Sequence, residues 1–111
     1  MAADAYVKFI FFGLLLLAVA LEVIGDVYFK KWSMEGRNIL LYLGLAIYFL
    51  GSVFWAISLK YELLSKAISI FTVLNLIIVV LIGTIMFNES LSTINKLGIA
   101  LGVLSVILIE I

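Results

Sequence analysis

Four apolar stretches, each long enough to cross a bilayer, divide almost the whole chain between them. They run from about Tyr6 to Lys30, from about Asn38 to Lys60, from about Ser65 to Phe87, and from about Ser92 to the end. A helix needs about 20 residues to span a hydrocarbon core about 30 Å thick. The runs are continuous rather than alternating, and too long for barrel strands, so the reading is helical. Short loops, Lys31–Arg37, Tyr61–Leu64 and Asn88–Leu91, force neighbouring spans to be antiparallel. The expected fold is therefore an all-α integral membrane protein. Residues 1–111 form one four-helix domain with spans at 6–30, 38–60, 65–87 and 92–111.

Composition excludes the alternatives. Hydrophobic residues make up 67% of the chain and charged residues 13%, against roughly 45–50% and about 25% in a soluble domain. So short a chain cannot hide that much apolar surface from water. Formal net charge is zero, which argues against a nucleic-acid partner. Cysteine and histidine are absent, removing disulfides, thiol and Ser-His-Asp catalysis and the usual zinc sites. No Gly-rich phosphate loop is present. An enzyme is not expected. Lys8 followed by the apolar run Phe9–Leu21 is like a signal peptide, but no small-residue cleavage site follows, so a retained first span is expected.

Loop charges give almost no orientation signal. With four spans, one side carries Lys8, Lys60 and Lys66; the other carries Lys30, Lys31, Arg37 and Lys96. Two readings stay open: one orientation weakly encoded, or copies inserting both ways and pairing antiparallel.

Most charges lie near helix ends, where long side chains reach the headgroups. Glu22 and Asp26 do not. Taking Ala18 as the centre of the first span, Glu22 lies about 6 Å beyond the midplane and Asp26 about 12 Å beyond it. Their spacing of four puts both on one helix face, and Lys30 follows one turn later. An acidic residue at mid-membrane costs about 2.5–3.5 kcal/mol on insertion scales, so it usually faces a bundle interior or an aqueous cavity. Removing a carboxylate from water penalises its charged form. Such a group can hold a proton or a cation in turn, which is the minimum machinery of an antiporter. The bland alternatives are a hydrogen-bonded packing carboxylate at Glu22 and an interfacial anchor at Asp26.

Further polar groups lie at similar depth. Ser69 and Thr72 share a face of the third span, although a hydroxyl there commonly bonds back to its own helix. Asn75 is near the centre of that span and needs a partner. Tyr48 is mid-span in the second helix, within reach of a carboxylate. Trp55 and Phe71 offer aromatic faces to a cation. In the fourth span Gly98 and Gly102 form a GxxxG pair with Ser105 nearby, and small residues at this spacing permit close helix approach. A dimer interface is the best use of that span.

The stretch Leu21-Glu22-Val23-Ile24-Gly25-Asp26, continuing to Lys30, resembles the first-span motif of the small multidrug resistance family, within the drug/metabolite transporter group. The resemblance covers nearly the whole chain. It gives Glu22 the place of the membrane-embedded glutamate shared by protons and cationic substrate, and Lys30 that of the lysine closing the helix. In ungapped register Tyr48 takes the family's second-span tyrosine. Asn88-Glu89-Ser90-Leu91 is similar to the loop before the last helix. The resemblance implies an antiparallel dimer, of identical or paralogous subunits, in the inner membrane of a prokaryote. It further implies that the fourth spans form much of the dimer contact. Transport would use the proton gradient and no cofactor.

Several positions depart from the family. Phe71 stands where it has a tryptophan, Ile68 where it has a tyrosine, and Val73-Leu74-Asn75 where it has a glycine-rich kink. The stretch from Leu74-Asn75 to Gly83, with Glu89-Ser90-Leu91, is more like broader drug/metabolite transporters, including small flippase subunits for lipid-linked amino sugars. Asp26 is an addition, and four carboxylates in a dimer would favour polyvalent cations such as polyamines. The leading expectation is a proton-coupled exporter of small organic cations, with Glu22, Asp26, Tyr48, Ser69, Phe71, Thr72 and Asn75 at the site. The alternatives are a flippase subunit for an amine-bearing lipid-linked sugar and a small membrane protein that modulates a larger complex.

Overall fold

The computed structural model describes residues 2–111, with side chains from residue 5 onward. Four helices follow in order: α1 (Ala2–Glu35), α2 (Asn38–Ser58), α3 (Leu64–Met86) and α4 (Thr93–Glu110). All four are long and apolar enough to cross a membrane. The chain is an all-α, multi-pass membrane protein. It divides into two compact units, residues 1–63 with α1 and α2, and residues 64–111 with α3 and α4.

In the first unit α1 does not stop at Lys30. It continues through residues 31–35, the greater part of the expected Lys31–Arg37 loop. The reason is local: Lys, Met and Glu are good helix formers, and nothing breaks the helix until Gly36. Gly36 takes a φ of +72°, the left-handed turn that glycine adopts without strain. Its amide donates to the Trp32 carbonyl at 2.8 Å, closing the helix end. The corner before α2 is only Gly36 and Arg37. Trp32 spans it by donating its indole N–H to Asn38 Oδ1 at 3.3 Å.

A stripe of buried residues runs down α1: Phe11, Leu15, Ala18, Val19, Glu22 and Val23. Each lies three or four residues from another of the set, as one helix face demands. Glu22 occupies a place in that stripe where an aliphatic residue would fit the pattern. Beyond α2, the Lys60 and Tyr61 amides donate to the Ile57 and Ser58 carbonyls at 3.1 and 3.0 Å, tightening the last turn.

In the second unit α3 ends at Met86, and the turn beyond it passes through Asn88, whose φ of +54° is one that asparagine tolerates. The Phe87 and Glu89 amides both reach the Gly83 carbonyl, at 3.2 and 3.1 Å. The Glu89 side chain folds back so that Oε1 lies where a Cβ on Gly83 would stand. Ser92 then caps α4, its hydroxyl accepting from the Asn95 amide at 3.1 Å. No residue of α4 is buried.

Candidate functional site

The candidate residues fall in both units. Glu22, Asp26 and Tyr48 belong to the α1–α2 pair; Ser69, Phe71, Thr72 and Asn75 belong to α3.

The α1–α2 contact is an antiparallel seam built on glycines. Going up α1, Ala18, Glu22, Gly25 and Phe29 meet Gly51, Tyr48 and Gly44 going down α2. A Cβ on Gly25 would stand 2.8 Å from Tyr48 Cδ2 and 3.2 Å from the Gly44 carbonyl oxygen. One on Gly44 would stand 2.7 Å from the Phe29 ring. Each bare Cα thus leaves room for a ring or a backbone from the other helix. The Phe29 and Tyr48 rings also touch, centroids 5.5 Å apart and tilted by 39°, an aromatic contact worth about 0.5–1.5 kcal/mol.

Glu22 lies inside this seam. It is 7% exposed, and its Cγ is 3.0 Å from the place of a Cβ on Gly51. Residue 20 is the middle of the Ala5–Glu35 span, so Glu22 is about 3 Å from the middle of the helix. Asp26 follows one turn later and is half-buried. Among the described residues neither carboxylate takes part in a hydrogen bond or a salt bridge. Carboxylates buried in protein normally have such partners, so these two retain acceptor capacity for a proton or a cation. Tyr48, half-buried, is held against Gly25 and Phe29.

In the second unit Ser69 bonds back to the Ser65 carbonyl at 2.7 Å. Ser105 does the same to Leu101 at 2.9 Å. Ser69, Thr72, Gly102 and Ser105 line a shallow, mostly apolar groove of about 300 Å³ between α3 and α4, with Ile68 and Val73 among its walls. Phe71 is half-buried. Asn75 Oδ1 is buried and has no hydrogen-bond partner among the described residues. The two glycines of the GxxxG pair differ. Gly98 has open space around it, whereas Gly102 faces α3, a Cβ there lying 3.9 Å from Val73 Cγ2. Among the described residues no His, Cys, Asp and Glu cluster could hold a metal ion.

Sequence reasoning passed over Gly25, Gly44 and Gly51. Their signal was available: Gly44 and Gly51 are seven apart on α2, one face of a helix, and bracket Tyr48.

A family model for EamA-like transporters matches residues 4–111. The chain belongs to the EamA-like transporter family. This EamA-like chain is accordingly a membrane transporter of the drug/metabolite type. No curated protein and no solved structure matches it. The small multidrug resistance resemblance is thus a narrower statement than the match, which is to EamA-like transporters as a whole.

Proposed function

We propose that this EamA-like transporter exchanges protons for small organic cations at Glu22. The observation that carries the reading is the burial of Glu22 near the middle of α1, with Asp26 one turn away. A charge inside the membrane span with no cationic partner among the described residues is costly. Binding a proton removes that charge, and binding an organic cation offsets it. The two occupants exclude each other, and that exclusion couples their movements. Tyr48 beside this face offers a hydroxyl and a ring to an arriving cation. Asn75, whose side-chain oxygen has no donor among the described residues, is the α3 residue we assign to substrate contact.

The working unit is proposed to be an antiparallel pair of copies, or of this chain and a paralogue, in a prokaryotic inner membrane. Two observations support pairing: the charge near-balance of the two loop sides, and α4 with no buried residue and an open Gly98.

The test is proton flux from liposomes holding the purified chain, with guanidinium, a quaternary ammonium and a polyamine added in turn. Flux elicited by at least one cation and lost in Glu22→Gln is the expected result. Wild-type flux in that variant overturns the assignment. Silence with every cation, from folded protein, favours the lipid-linked amino-sugar flippase.

A further inference from the structure

Gly51 is the α2 residue that meets Glu22. A Cβ at this position would lie 3.0 Å from Glu22 Cγ, 3.2 Å from Leu21 Cβ and 3.3 Å from the Ala18 carbonyl oxygen. Ordinary van der Waals contact for a Cβ begins near 3.4 Å. The nearest of the three atoms is also the only one that can turn away. Leu21 Cβ and the Ala18 carbonyl are fixed to the α1 backbone, whereas Glu22 Cγ rotates about χ1. A helix leaves χ1 few wells, because the one near +60° clashes with the preceding turn. A side chain at position 51 is therefore accommodated by swinging the Glu22 carboxylate aside or by parting the two helices.

We infer that Gly51 is a positioning residue for Glu22: the space left by its missing side chain is where the glutamate stem lies, and so fixes where the carboxylate can be. The consequence for transport rests on the function proposed above; the packing relationship does not. The other seam glycines supply the contrast. Gly44 meets the Phe29 ring and Gly25 meets Tyr48, and neither meets the glutamate. Loosening the seam and displacing the carboxylate can thus be told apart by position.

The test uses the full chain in liposomes and a hydrophobic carbodiimide, which labels protonated carboxyls in apolar surroundings. Labelling of Glu22 is read by mass spectrometry as a ratio to labelling of Asp26. Gly51→Ala is expected to change that ratio about threefold or more, since small displacements of a reacting group have large kinetic effects. Gly44→Ala is expected to leave it unchanged. An unchanged ratio in folded Gly51→Ala, or an equal change in Gly44→Ala, overturns the inference. If Gly51→Ala does not fold, Glu22→Ala combined with it is expected to restore folding, because the Cγ is gone; failure of that double variant also overturns it. Cation-driven flux is measured on the same samples. A wild type without flux that still shows the labelling contrast sinks the transport reading and leaves the positioning role standing.

Discussion

Gly25 of α1 lies under the ring of Tyr48 of α2, and a Cβ on the glycine would stand 2.8 Å from Cδ2 of that ring. Any side chain at position 25 would force the ring or the helices to shift. It sets the tyrosine about one turn along α1 from the place where the Glu22 stem meets Gly51.

Gly25→Ala must therefore push the two helices apart or tip the Tyr48 ring. Overpacking of this kind costs about 1–3 kcal/mol. Unfolding in mixed micelles should show that loss. Combining it with Tyr48→Ala should recover part of it, because the ring is then absent. A double variant no more stable than additivity predicts would contradict the contact.

Asp26→Asn separates substrates by valence. If the second carboxylate holds a second positive group, polyamine-driven flux falls by about tenfold, equivalent to about 1.4 kcal/mol. Flux driven by a quaternary monocation changes much less. Liposome assays with both cations on one preparation check this, and equal losses would assign Asp26 to folding or anchoring.

Gly36→Ala puts a Cβ on a residue with a φ of +72°. Nothing lies within 4 Å of that Cβ, so the cost is backbone strain alone, about 1–2 kcal/mol. Gly36→Asn should recover part of it, since asparagine tolerates this region. Thermal unfolding of the three proteins gives the ranking Gly, Asn, Ala; an unaffected alanine variant would show that α1 ends differently.

Gly83→Ala collides with the folded-back Glu89 carboxylate. The flexible end of Glu89 can move, so the substitution should be mild in stability but should shift that side chain away from Gly83. Reactivity of Glu89 toward a water-soluble carbodiimide is expected to rise in Gly83→Ala. No change in reactivity would mean Glu89 does not lie on α3.

The spans and the odd position of Glu22 were legible because both are statements about depth, and depth needs only hydropathy and a rise per residue. The end of α1 was not. The sequence reading ends the first span at Lys30 and gives Lys31–Arg37 to a loop, yet charges such as Lys31 and Glu35 do not by themselves break a helix. Gly36 does, and it was the better marker. The glycine seam escaped for a different reason. Its meaning lies in pairs across two helices, Gly25 with Tyr48 and Gly51 with Glu22, and the register of an antiparallel pair is not written in either helix alone. Gly98 and Gly102 drew attention because they match a motif within one helix. Of the two, Gly102 faces Val73 across the α3–α4 groove, and Gly98 meets no other atom among the described residues.

The two-residue corner after α1 has a bearing on how the protein can work. Gly36 and Arg37 leave no slack, and the Trp32–Asn38 hydrogen bond ties the two helix ends together. With glycines locking the shafts farther down, residues 18 to 51 should travel as a single rigid piece. If the proposed exchange exposes Glu22 to each compartment in turn, Tyr48 must be carried along with it. A pair of spectroscopic labels at positions 33 and 39 would then report one unvarying separation through every stage of the cycle.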